Sequence, residues 1–310
     1  MKFIDFHEDL AYASAYEDVR RVGQSSLMKL SLFPGSIVFG VVYPHVRTLG
    51  WRDEEMSSLY GGSAYSTSPS IEVLWTQVKF YRYLEDSGKV RIIGRGWDPI
   101  GVNLVLSLEG TDVMKEAYDI FILKDLGIRA IGLTWNYDTK FAASCRSKKD
   151  YGLTGEGEEL VRLANRLGII LDVSHTSHRT TMEVCQASRR PVIASHSNVM
   201  KLKDSPRNLR DEAIEAIIKT GGVIGVTAIN STLPKPTLEG MVEAIKYVGE
   251  SFGWEYVALG SDFLGVEELP SGFEGVEKVP ALAELIGDKA EKFLWENGAR
   301  VLRSYGLLPD

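Results

Sequence analysis

Short, β-rich apolar runs alternate with amphipathic helical patterns from one end of this chain to the other, and that alternation constrains the fold more than any other feature. Parallel strands need a crossover long enough to hold a helix, so the pattern indicates βα units. The runs predict strands near 3–6, 36–42, 102–108, 128–134, 169–173, 191–195, 222–227 and 256–260. Eight such strands predict an α/β fold of the (β/α)8 TIM-barrel type, in which every strand's C-terminal end faces one mouth. Between them, residues 71–86 (IEVLWTQVKFYRYLED) and 157–167 (GEELVRLANRL) carry the clearest helical period, with Gly168 placed to stop the second helix. Residues 281–287 and 289–305 predict two further helices on the barrel, and 1–310 fits a single domain with long loops. The stretch 43–70, rich in Gly, Ser and Tyr, reads either as an active-site lid or as an ordered loop or dimer contact.

The ends of the apolar runs carry the chemistry. In the first run His7 and Asp9 stand two residues apart, a spacing that sends both side chains the same way. VNLVLSLE ends at Glu109, IILDVSH at His175, PVIASH at His196 and YVALGSD at Asp262. A lone His-x-Asp is a weak signal, and Asp262 could simply cap a turn. Five runs ending in residues able to bind a cation at a common mouth form a much stronger one. Zinc takes imidazole nitrogen and carboxylate oxygen, and a carboxylate such as Glu109 can bridge two ions. His175 and His196 would hold one ion, and His7 with Asp9 the other. Paired metals roughly 3.5–4 Å apart polarise a carbonyl and generate hydroxide near neutral pH, which is hydrolytic chemistry. His45 and His178 end no apolar run and are expected at the surface or at helix starts.

Composition removes several alternatives. The net charge is −7 and no basic run stands out, so nucleic acid is not an expected partner. Cys145 and Cys185 match no zinc or redox spacing and are expected to be unpaired. The start, MKFIDFHEDL, runs at once into a strand, and no apolar run approaches the roughly 20 residues that span a bilayer. A cytoplasmic protein without membrane contact is the expectation.

Taken in order, these motifs resemble the membrane (renal) dipeptidase family of the metal-dependent amidohydrolases. HED at 7–9 resembles its first-strand His-x-Asp and LEG at 108–110 its bridging glutamate. LDVSH at 171–175 and PVIASHS at 191–197 resemble its histidine strands, and GSDF at 260–263 its last catalytic strand. SPRNLRDE at 205–212 and WENGARVL at 295–302 extend the likeness across nearly the whole chain, whereas 43–70 carries no recognisable motif. The resemblance implies two zinc ions, one held by His7, Asp9 and Glu109 and one by Glu109, His175 and His196. It implies that Asp262 orients the bridging water and relays its proton to the leaving amine, that Arg207 pairs with the carboxylate of a dipeptide, and that the protein is a homodimer. From the residues alone, Arg207 could equally form a surface salt bridge with Asp204, Asp211 or Glu212.

One position departs from the family. After the fourth strand its best-known members carry a histidine, thought to stabilise the tetrahedral intermediate, and this chain reads GLTWNYD with Trp135. An indole N–H donates one hydrogen bond but carries no charge, so Trp135 is expected to line the substrate pocket without replacing that function. Two other readings compete with a zinc dipeptidase. A lactonase or cyclic-amide hydrolase on the same barrel is disfavoured because many such enzymes bridge their metals with a modified lysine, where this chain has Glu109. A non-catalytic metal-binding barrel would lack the water-activating group that Asp262 supplies.

Overall fold

The computed structural model describes residues 1–16, 23–52 and 65–309. Every predicted run forms a strand: β1 (Ile4–Glu8), β2 (Ile37–Val42), β3 (Asn103–Glu109), β4 (Ile128–Gly132), β5 (Ile170–Asp172), β6 (Val192–Ser197), β7 (Val223–Val226) and β8 (Val257–Leu259). They pair in chain order, all parallel, and β8 returns to β1 through Leu259 opposite Asp5, which closes an eight-stranded barrel. A two-residue strand, Arg91–Ile92, lies along β3 outside this ring.

Helices fill the crossovers: α1 (Leu10–Tyr16) and α2 (Leu27–Leu30) after β1, α3 (Ile71–Asp86) after β2, α4 (Asp119–Asp125), α5 (Gly155–Leu167), α6 (His178–Ala187), α7 (Asp211–Lys219) and α8 (Leu238–Phe252). The predicted helix at 71–86 has these bounds, and the hydroxyl of Ser70 accepts the N–H of Val73 at its start. α5 starts where Thr154 accepts the N–H of Gly157, and it stops at Gly168, whose φ of 69° is the left-handed turn that glycine adopts without strain. Its buried stripe of Leu160, Val161, Leu163 and Ala164 faces the barrel, with Glu158 and Arg162 outside.

The core has two layers. Leu104, Leu106 and Leu108 point from β3 to the helices, while Val105 joins Ile4, Phe6, Ile37, Phe39, Ile170 and Ile193 inside the barrel. Chain-terminal segments close the lower end of that interior. The expected helix at 289–305 is divided into a π turn, Lys292–Glu296, and α10 (Asn297–Ser304), after α9 (Val279–Ile286). The wide turn buries Phe293, Leu294 and Trp295 in succession, more of the circumference than an α-helix would present to one surface. Gly298 then packs on Ile4 and Phe6, where an added Cβ would stand 3.0 Å from Ile4 Cδ1.

Part of 43–70, the stretch read either as a lid or as an ordered loop or dimer contact, is an antiparallel pair, His45–Arg52 with Tyr65–Pro69, and 53–64 lies outside the described residues. Cys145 and Cys185 are unpaired, as expected. Among the described residues no helix is long and apolar enough to cross a membrane.

Candidate functional site

Regular strands alternate faces, so Phe6 and His7 cannot both enter the barrel unless the strand is interrupted. The register of β1 on β2 slips between Asp5 and Glu8, with one extra residue on β1, and this bulge turns His7 to the axis. A matching slip on β6, between Ala194 and Ser197 opposite β7, turns His196 inward after Ile193. His175 and Asp262 use a different device. Each follows the end of its strand by a short step and adopts a left-handed backbone, with φ of 65° and 62°. Sparsely populated conformations of this kind cost about 1–3 kcal/mol and persist where surrounding structure enforces them. Glu109 needs no device, because it ends β3 in the inward phase set by Val105. Gly265 completes the corner: any side chain there would collide with the carboxylates of Asp262 and Asp9.

These turns bring the expected residues together. His7 Nε2 lies 3.5 Å from Asp9 Oδ2, 3.6 Å from Asp262 Oδ1 and 3.7 Å from Glu109 Oε1. Glu109 Oε1 is also 3.1 Å from His175 Nε2 and 3.5 Å from His196 Nε2, and it thus faces all three imidazoles. All six residues are buried. The donor atoms of His7, Glu109 and His196, and those of His7, Asp9 and Asp262, are close enough to share an ion.

Electrostatics divide the histidines. Burial pulls the His7 imidazolium down, but the carboxylates of Glu109, Asp9 and Asp262 outweigh it and hold the pKa up at about 10. Burial pushes His175 and His196 well below the ordinary range, reinforced by Arg207 and His7. Burial also raises Glu109 well above the usual carboxylate range, with Asp9 and Asp262 adding to it against His7 and Arg207.

The donor set fits divalent cations. His7 has neither ring nitrogen in a hydrogen bond, although it is buried. The Nε2 atoms of His175 and His196 stand 2.9 Å apart, and His175 Nδ1 faces the amide oxygen of Asn136 at 3.0 Å. That oxygen can only accept, so the His175 proton belongs on Nδ1 and its Nε2 presents a lone pair. Lone pairs and carboxylates converging in a buried space call for a positive ion between them.

Arg207 is buried and donates from Nη2 to the backbone oxygen of His196 at 3.1 Å, so it belongs to the mouth and is not a surface bridge. Asp211 instead accepts from Tyr247 Oη at 2.9 Å. Trp135 is half-buried at the mouth, its ring 6.2 Å from that of His175 and 5.0 Å from that of Tyr43. His178 opens α6, as expected of a helix-start residue. His45 corrects the expectation of a surface position: it is 1 % exposed, stacked on Tyr43 at 4.7 Å and 5.5 Å from Trp135, with Nε2 3.5 Å from Asp112 Oδ2. In the structure His45 follows Val42 of β2 by the same interval that separates His175 and Asp262 from the ends of β5 and β8.

Fold and site together define a (β/α)8 barrel with a histidine–carboxylate cluster across its C-terminal mouth. The model of the membrane dipeptidase family, peptidase family M19, matches residues 93–307, and the chain belongs to that family. A dipeptidase, verJ, from Clonostachys rogersoniana is 33% identical over 233 residues, covering 72% of this chain and 60% of that protein. An uncharacterized dipeptidase from Schizosaccharomyces pombe is 39% identical over 166 residues, covering 51% of this chain and 40% of its own length. The chain thus spans less than two thirds of either relative. Among solved structures, a metallo peptidase from Rhodobacter sphaeroides, liganded with a phosphinate mimic of the dipeptide L-Ala-D-Ala, superposes with a TM-score of 0.82 at 21% identity, covering 98% of this chain and 99% of that one. At that identity the likeness speaks for the fold.

Proposed function

We propose that the protein is a metallo-dipeptidase that hydrolyses the peptide bond of a dipeptide with the aid of two zinc-like divalent ions. The observation that supports this most is the burial of His7, Asp9, Glu109, His175 and His196 around one point, with two imidazole Nε2 atoms 2.9 Å apart. His7, Asp9 and Glu109 hold one ion in this reading, and Glu109, His175 and His196 the other. When bound, such a pair polarises a carbonyl and supplies hydroxide near neutral pH. Asp262, 3.6 Å from His7 Nε2, orients the attacking water, accepts its proton and returns it to the leaving amine. Arg207 pairs its guanidinium fork with the substrate's free carboxylate. Trp135 adds an apolar wall and one N–H donor, so proton handling falls to Asp262. The dipeptidase relative and the dipeptide mimic on the matched fold support a dipeptide as substrate.

A panel of dipeptides, with D-residues at the second position and with C-terminal amides as controls, tests this on zinc-loaded protein. Free acids are expected to be cleaved and amides spared. Arg207→Ala should lower kcat/KM for the free acid by about 10–100-fold, the worth of hydrogen bonds to a charged group at about 1.5–3 kcal/mol. If wild type treats acid and amide alike, the lactonase or cyclic-amide reading replaces the dipeptidase.

A further inference from the structure

A hydrogen-bond chain runs from the end of β5 to His196 without including any residue of the ligand set besides that histidine. Asp172, buried at the end of β5, accepts the backbone N–H groups of Ser174 and Ser195 on Oδ1, each at 2.9 Å. Its Oδ2 accepts the Ser195 hydroxyl at 2.5 Å. With three donors directed at it, the carboxylate serves as an acceptor. A hydroxyl has a single hydrogen, and Ser195 gives it to Asp172 at 2.5 Å, the nearer acceptor, in preference to Ser174 Oγ at 3.3 Å. Only lone pairs remain on Ser195 Oγ for His196 Nδ1, 2.7 Å away, so the ring nitrogen must be the donor. In the opposite arrangement, with Ser195 donating to Nδ1, the two oxygens 2.5 Å apart would lack the hydroxyl proton between them. The backbone N–H of His196 is itself tied to Ser174 Oγ at 3.0 Å, which holds the residue in register while its ring is oriented.

We infer that Asp172 and Ser195 are positioning residues that lock His196 as the Nδ1–H tautomer, leaving the Nε2 lone pair directed at Glu109 as a preformed metal ligand. The inference rests on the metal reading above and adds to it a serine-linked version of the carboxylate–histidine pairs that orient metal ligands. The two facing histidines are then held unequally. His175 Nδ1 meets one neutral amide oxygen at 3.0 Å, whereas His196 Nδ1 meets a hydroxyl backed by a carboxylate. Such a chain polarises its members cooperatively and strengthens the terminal nitrogen as a donor to a cation.

Two measurements test it: ¹⁵N-detected histidine spectra of the metal-free protein, and calorimetric titration with zinc alone. Metal-free wild type should show His196 protonated on Nδ1. Ser195→Ala should let the ring take up the other tautomer and weaken zinc binding by about 10–100-fold, the usual effect of losing an outer partner of a ligand. Ser195→Thr, which keeps the hydroxyl, should restore both readouts. Asp172→Asn should repeat the tautomer change, and it serves as the second variant if Ser195→Ala does not fold. A Ser195→Ala protein with wild-type spectrum and affinity overturns the inference, as does one whose defect is confined to thermal stability and is not rescued by threonine. Wild type that takes up no zinc overturns the metal reading as well, and the spectra of the metal-free protein distinguish that failure from a failure of the chain alone.

Discussion

On the β1–β8 side of the mouth His7 stands among the carboxylates of Asp9 and Asp262, while on the β5–β6 side His175 and His196 face each other beside Arg207. Identical side chains therefore behave in opposite ways: Glu109, Asp9 and Asp262 overcome burial to hold His7 up at about 10, whereas burial with Arg207 and His7 keeps the other two low. Surroundings, and not residue type, decide what each imidazole offers. One side gathers carboxylates around its imidazole, and the other gathers two imidazoles that burial keeps from taking up a proton. Glu109 belongs to both, with Oε1 within 3.7 Å of all three Nε2 atoms.

The sharpest way to break this comparison is at the residue the halves share. Glu109→Gln keeps the shape of the side chain and removes its charge, so both ions should be lost together and hydrolysis with them. The fall in affinity should exceed the about 10–100-fold that follows loss of an outer-shell partner. Metal analysis checks this, and depletion of one ion alone would show that Glu109 serves a single half.

A smaller effect separates ligation from proton transfer on the carboxylate side. Asp262→Asn should reduce turnover by about 10²–10⁴-fold, the usual contribution of a general acid–base group, while metal content stays near wild type. Loss of metal in step with turnover would make Asp262 a ligand and enlarge the carboxylate half.

The smallest effect belongs to the wall beside the imidazole side. Trp135→Phe should leave metal content unchanged and shift kcat/KM ratios among dipeptides by about tenfold, the scale on which apolar pocket contacts discriminate. An unaltered ranking, read beside a thermal unfolding curve, would reduce Trp135 to packing between Tyr43 and His175.

The family resemblance, and the convergence of His7, Asp9, Glu109, His175, His196 and Asp262, were legible because these residues stand at the ends of short apolar runs, which sequence alone locates. His45 was missed because it sits in VVYPH, where Pro44 interrupts the run and hides the residue's link to β2. Asp172 and Ser195 lay within the motifs LDVSH and PVIASHS, yet nothing in their spacing shows that the two side chains meet across neighbouring strands. The terminal helices were placed correctly, but the π turn at Lys292–Glu296 reflects packing under the barrel and has no local signature.

By itself, then, the sequence determined eight strands, their crossovers, and the polar groups that five of those strands carry at their C-terminal ends, since apolar runs and helical period are local properties of the chain. Tertiary structure decided where those groups point. Bulges in β1 and β6 and the left-handed turn at His175 reverse the face that simple alternation would assign, while the left-handed turn at Asp262 bends the chain after β8. A bulge exists only relative to the register of the neighbouring strand, and a strained φ survives only when distant contacts hold it. The Asp262 N–H bonded to His7 O at 3.1 Å is one such contact, joining the segment after β8 to β1 at the site.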